Sequence, residues 1–234
     1  MILYCDEHLV VVNKPAGMPV HRSRMVHADD TYLIDDLREQ LGGRLHLIHR
    51  LDRATSGALL IGRNAEIAGT LGRQFMQRDV EKTYLGVCRG WPEESGELDY
   101  ALPGVRENSD RKPALTRWKR LQTIEVPIAI NRYPQQRYGL IEITPETGRY
   151  RQIRRHFAHL RHPLIGDTSH GRTEHNRLFK QYFSVHRLLL HAWRLQFDHP
   201  VEERRMTIEA PLDAEYAGLL QRFEWSLASE RRES

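Results

Sequence analysis

The sequence predicts an α+β fold, a mixed and mainly antiparallel β-sheet with flanking helices. Three observations carry this. Extended apolar runs outnumber amphipathic helical ones, several connections are too short for the helical crossover that parallel neighbours need, and no segment repeats internally. With 40% hydrophobic residues in a chain of 234, a substantial core can be buried, and the whole length, 1–234, reads as a single domain.

The elements follow in order. Residues 2–4 and 9–12 are short apolar or β-branched runs parted by Asp6-Glu7-His8, which suits a hairpin. Thr31 can cap a helix whose Leu33, Ile34, Leu37 and Leu41 recur at helical spacing, and Gly42-Gly43 ends it. Residues 45–51 and 58–61 read as strands joined by a turn-forming stretch, Asp52-Arg53-Ala54-Thr55-Ser56-Gly57. Asn64 can cap a helix bearing Ile67, Leu71 and Phe75 on one face, after which residues 82–87 resume a strand that contains Tyr84. Residues 92–113 are rich in Pro, Gly and charge and read as a mobile loop. Extended structure returns at 118–121 and 138–144. Thr147-Gly148 opens a helix bearing Ile153, Phe157 and Leu160; residues 188–197 and 206–208 are late strands. Asp213 can cap a last helix with Tyr216, Leu219, Leu220 and Phe223, and residues 230–234 should fray.

The formal charge of +4 is mostly arginine, whose planar fork suits phosphate and base edges, so a polyanionic partner is consistent with it. Cys5 and Cys88 form no Cys-x-x-Cys pair and read as buried free thiols. No basic stretch leads into an apolar leader and no membrane-length apolar run follows, so no membrane association and a cytoplasmic location are expected. His156-x-x-His159-x-x-His162 drifts around a helix without an acidic ligand, so no metal is expected there. Ser56 lacks a Gly-x-Ser-x-Gly elbow, and Gly42, Gly43 and Gly57 match neither a dinucleotide nor a P-loop pattern.

Two segments can carry chemistry. His49-Arg50-Leu51-Asp52-Arg53-Ala54-Thr55-Ser56-Gly57 sets one acid beside two arginines at a strand-to-turn junction, where guanidinium charge favours an ionised carboxylate; an ordinary ion pair has the same pattern. Thr147-Gly148-Arg149-Tyr150-Arg151-Gln152-Ile153-Arg154-Arg155-His156 carries four arginines, with Arg161 beyond. One of them facing inward could pair with Asp52 while others grip phosphates; a solvated basic face reads the same way.

These residues resemble the RluA-type family of pseudouridine synthases. Residues 49–57 are similar to its catalytic motif, Asn13-Lys14-Pro15-Ala16-Gly17 with His21 to its N-terminal motif, Glu81-Lys82-Thr83-Tyr84 to its tyrosine motif, and Thr147-Gly148-Arg149 through Arg154 to a fourth. Residues 188–191 and His199-Pro200 resemble its closing strands, so the resemblance runs in order along nearly the whole chain. It implies a catalytic domain with a central RNA-binding cleft, without the S4-like domain appended in some members, that isomerises uridine to pseudouridine in structured RNA. It implies Asp52 as the essential carboxylate, Arg154 as its partner, and Tyr84 against the target uracil and as a candidate base. Ile153 would pack on the base, and Arg50 would enter the space left by the flipped nucleotide. Arg149, Arg151, Arg155 and Arg161 are candidates for RNA contact, although Arg151 stands where many members have His. The reaction is redox-neutral and implies no cofactor; whether Asp52 attacks C1′, adds to the base or removes a sugar proton stays open. Beyond the shared motifs, Arg132-Tyr133, Arg137-Tyr138-Gly139-Leu140 and residues 154–167 resemble the members that modify uridine-65 of tRNA, which implies tRNA as partner; a monomer is expected.

Overall fold

The computed structural model describes residues 1–21, 31–105 and 109–227. The chain opens with the expected hairpin, β1 (Ile2–Cys5) and β2 (Leu9–Lys14), its turn closed by Asp6, whose carboxylate accepts from the amides of His8 and Leu9 at 2.7 and 2.8 Å. Helix α1 (Leu33–Leu41) follows and stops at Gly42 with φ 67°; its N-cap is Tyr32 rather than the expected Thr31, and no side chain caps it. Next come β3 (His46–Leu47), β4 (Ser56–Gly62) and α2 (Ala65–Gln77), with Asn64 accepting from the Ile67 amide at 2.9 Å as its N-cap. The strand expected over 45–51 shrinks to two paired residues.

Strand β5 (Glu81–Arg89) leads into the segment expected to be a loop, which instead holds β6 (Ser95–Asp99) and a small ribbon of β7 (Leu102–Pro103) and β8 (Arg111–Lys112). Long β9 (Leu115–Val126) and β10 (Gln136–Pro145) precede α3 (Gln152–His159). That helix starts five residues later than expected because Arg151, its N-cap, has left-handed backbone at φ 51°. An unanticipated helix, α4 (Thr173–Phe183), comes before β11 (Leu190–Asp198) and β12 (Arg205–Glu209). Helix α5 (Ala214–Arg222) closes the order, with Asp213 accepting from the Tyr216 amide at 3.0 Å as expected. Residues 230–234 lie outside the described residues. Of the two free cysteines, Cys88 is buried, but Cys5, expected to be buried, is exposed.

The main sheet runs β1-β2-β4-β11-β5-β10-β9-β6, with β3 also on β4 and β12 also on β11. Every pairing is antiparallel except β4 with β11, where Ser56 and Gly57 lie beside His191 and Ala192. Gly57 is required there: at φ 111° a Cβ would come 2.2 Å from the Ala192 carbonyl. Helices cover both faces. On the β4 half, Val10, Val12, Leu59 and Ile61 pack under α1, while Leu9, Val11, Leu60 and Phe197 pack under Ile67 and Leu71 of α2. On the β5 half, Leu85, Val87, Tyr138 and Leu140 meet α4 and α5, and Cys88, Ile141 and Ile143 meet Ile153 and Phe157 of α3. Strand β4 is buried at every residue, as a strand covered on both faces must be.

Candidate active site

Residues 48–55 pass from β3 to β4 without regular structure and carry Asp52. The turn is pinned from behind: the Thr55 amide donates to the Asp52 carbonyl at 3.0 Å, the Gly17 amide to the Arg53 carbonyl at 2.8 Å, and Arg53 Nε returns a bond to the Gly17 carbonyl at 2.8 Å. Fully buried Lys14 donates its ammonium to the carbonyls of Pro15, Met18 and Arg53 at 2.8, 2.8 and 3.0 Å. Burial, with Arg187 and Arg53 adding to it and Asp52 opposing, pulls that ammonium down to about 7; three carbonyl acceptors are satisfied only by its protonated form.

Below the turn, Ser56 Oγ lies 2.7 Å from His191 Nδ1 and accepts from Arg187 Nη2 at 2.6 Å. Nε2 of His191 lies 3.0 Å from the Ala210 carbonyl, so Nε2 carries the proton and Nδ1 accepts from the serine. Burial lowers His191 to about 4, and the neutral ring ties β11 to Ser56 at the start of β4, four residues past Asp52.

Arg154 enters from the opposite side. It is the third residue of α3 and is 5% exposed; Nη1 donates to Asp52 Oδ2 at 3.1 Å. Its other edge grips Asp167, Nε to Oδ2 at 2.7 Å and Nη2 to Oδ1 at 2.8 Å. Asp167 Oδ1 also accepts from the amides of Ser169 and His170, both at 2.9 Å. Burial works against both charges, but the two-point bond outweighs it: Arg154 is held above, and Asp167 below, its ordinary pKa. Gly166, beside Asp167, lets this loop lie against the backbone leading into β11, since at φ 80° a Cβ there would lie 1.9 Å from the Arg187 carbonyl.

Asp52, Arg154, Tyr84 and Ile153 line one cleft of about 690 Å³, together with Arg50, Arg149 and Arg151. The Tyr84 ring packs against the cores under both α1 and α3, and burial first, then the Asp52 charge, raises its phenol well above the usual range. One wall comes from α2 through Phe75 and Met76; His49 stacks on Phe75 with centroids 4.6 Å apart and accepts the Leu60 amide at 3.0 Å. Burial, with Lys82 adding to it, lowers His49 to about 3. The opposite wall is the 145–151 loop, closed by Gln152 Oε1 on the Arg149 amide at 3.0 Å and on Thr147 Oγ1 at 2.6 Å. Arg149 Nε donates to the Pro113 carbonyl at 3.0 Å, and Arg151 lies over the Tyr150 ring and bonds Ser169 Oγ at 3.1 Å.

Two of the expected RNA-contacting arginines fall outside this cleft. Arg155 turns to the Pro103 carbonyl of β7 at 2.8 Å, and Arg161 is exposed beyond α3 with left-handed backbone at φ 63°. The three histidines are engaged separately: His156 with Thr116 and the Tyr100 carbonyl, His159 stacked on Tyr100, and His162 with the Arg89 carbonyl. Asp167 and Lys82 were given no role by the sequence reading. An acid in a loop, bonded to an arginine thirteen residues earlier on a helix, leaves no periodic signal, whereas Lys82, two residues before Tyr84 on a strand, shares its face by simple alternation.

A buried arginine holding one carboxylate at the floor of a basic cleft defines a site for chemistry on a polyanionic substrate. Residues 8–159 match the family model described as RNA pseudouridylate synthase, and the chain belongs to that family, as its RluA-type motifs imply: it is an isomerase that converts uridine to pseudouridine in RNA. It is 44% identical over 233 residues to a protein of Vibrio vulnificus named tRNA pseudouridine synthase C, covering 96% of this chain and 95% of that one. A protein of the same name from Pasteurella multocida is 40% identical over 237 residues, covering 97% and 98%. The fold is shared with human RNA pseudouridylate synthase domain containing 4, with a TM-score of 0.75 at 22% identity over 97% of this chain and 94% of that one. Among the described residues, no helix is long and apolar enough to cross a membrane.

Proposed function

We propose that this isomerase acts on tRNA, at uridine-65, and that Asp52 is the carboxylate that starts the reaction. The observation that carries the reading is the Asp52–Arg154 pair at 3.1 Å on the floor of a cleft walled by Tyr84 and Ile153. In this reading Arg154 aims the carboxylate, Ile153 and Tyr84 sandwich the flipped uracil, and Arg50 fills the place it left in the stack. Arg149 and Arg151 hold the backbone at the cleft, with Arg155 and Arg161 as outer contacts. A phenol is protonated at neutrality, and burial raises Tyr84 further, so it takes the C5 proton only by passing its own on, and Asp52 is the neighbouring acceptor. The chain needs no cofactor and works as a monomer, as one catalytic domain, in the cytoplasm.

Unmodified tRNA is incubated with the protein and with Asp52→Ala, and pseudouridine is mapped by chemical derivatisation and primer extension. The expected result is product at uridine-65 with the intact protein and a loss of about 10⁴-fold or more with the variant. Product at another tRNA position or in ribosomal RNA would replace the substrate. An Asp52→Ala protein as active as the wild type would sink the assignment of the carboxylate.

A further inference from the structure

We propose that Lys82 is a substrate-binding residue, and that its ammonium takes a phosphodiester flanking the flipped uridine. This deepens the proposed reading of the cleft. Lys82 and Tyr84 sit two residues apart on β5 and therefore point to the same face, about 7 Å apart along the strand. Both line the cleft. The neighbours of Lys82 in sequence are occupied: Glu81 is bonded by Arg205 at 2.6 Å, and Thr83 faces away.

Among the described residues, the Lys82 ammonium makes no hydrogen bond and no ion pair, although the residue is only partly exposed. Glu146 of the 145–151 loop, the acid whose charge acts on it, is already engaged by Arg117. Burial, with Arg78 adding to it and Glu146 opposing, lowers the ammonium below its ordinary pKa. A recessed cation without a bonded counter-charge is costly unless something supplies one. The family's substrate does: a nucleotide whose uracil lies against Tyr84 carries its two phosphates a few ångströms from the base, within reach of a four-carbon stem on the same strand face. The other arginines of the cleft, Arg50, Arg78, Arg149, Arg151 and Arg154, stand on segments other than β5, which leaves Lys82 as the cleft cation on the same strand as Tyr84.

The test pairs protein variants with neutralised phosphates. Wild type, Lys82→Met, which keeps the apolar stem, and Lys82→Arg, which keeps the charge, are assayed on tRNA and on two tRNAs bearing a methylphosphonate 5′ or 3′ of the target uridine. Equilibrium binding is measured beside turnover. Lys82→Met should weaken binding and raise KM about tenfold with kcat within about twofold, and Lys82→Arg should restore most of it. One methylphosphonate should cost the wild type the same factor and cost Lys82→Met nothing more. Losses that multiply for both methylphosphonates, or a Lys82→Met effect confined to kcat, would overturn the proposal. Should the wild type bind tRNA yet make no product, the substrate reading fails, while the dissociation constants still decide the role of Lys82.

Discussion

Arg154 and Arg161 belong to one basic run and stand seven residues apart, yet one is 5% exposed between two carboxylates and the other lies in solvent past the end of its helix. Arg149, Arg151 and Arg155 fall between these extremes, each held by one or two uncharged neighbours and each with guanidinium donors to spare. Residue type does not separate them; helix phase and the partner on the facing element do. An arginine such as Arg154, whose Nε, Nη1 and Nη2 all donate to carboxylates, is fixed in position, and only a fixed guanidinium can aim a carboxylate. An arginine with free donors is adaptable and suits a phosphate that arrives with the substrate.

The sharpest way to strain this contrast lies at the fixed end. Tyr84→Phe keeps the ring that packs against both neighbouring cores and removes only the hydroxyl. A phenol that relays the C5 proton should be missed in kcat by about 10³-fold, with KM little changed, because the contact with the base persists. Single-turnover kinetics on tRNA would read this. A loss below tenfold would leave Tyr84 as packing alone and pass the proton transfer to Asp52.

Asp167→Asn comes next in size. The amide keeps the shape but cannot accept from both Nε and Nη2, so Arg154 stays buried with Asp52 as its remaining counter-charge. Breaking a buried pair costs roughly 3 kcal/mol, and an arginine free to rotate costs about 10²-fold in kcat through misplacement of Asp52. Denaturant unfolding and kcat measured together would check both. A destabilised protein with wild-type kcat would mean that Asp167 supports the fold without aiming Arg154.

Much of this corner was legible in sequence because local chemistry dictated it. Asp52 falls on a turn since Asp, Thr, Ser and Gly cluster there, and Gly57 is the residue the parallel contact with β11 demands. Caps at Asn64 and Asp213 and the stop at Gly42 declared themselves by residue type. What escaped depends on partners distant in sequence. The strand expected over 45–51 is cut short where the His49 side chain, not its backbone, takes the Leu60 amide. Strand β6 alternates in exposure without large apolar residues apart from Leu98, so at the sheet's edge its polar composition reads as loop. Helix α4 shows only Leu178 and Phe179 as large buried apolar residues, too few for a periodic signal. The late start of α3 turns on one left-handed residue, Arg151, which no propensity foretells.

At the adaptable end the effects should be small and of a different kind. Arg151→Ala removes a guanidinium that lines the cleft and is held by one serine and one ring face. The expected change is a rise in KM of a few fold, an unchanged kcat, and a salt dependence of binding shallower by nearly one unit, the signature of one lost phosphate contact. Arg161→Ala, outside the cleft, should change KM by less than about twofold unless the RNA extends past the end of α3. Filter binding across a salt series, run on both variants with the same tRNA, compares the two directly. Equal slopes for wild type and Arg151→Ala would move that residue from substrate contact to the support of the 145–151 loop. A slope as shallow for Arg161→Ala would extend the RNA path along the whole of α3, and the division between fixed and adaptable arginines would then follow burial alone rather than distance from Asp52.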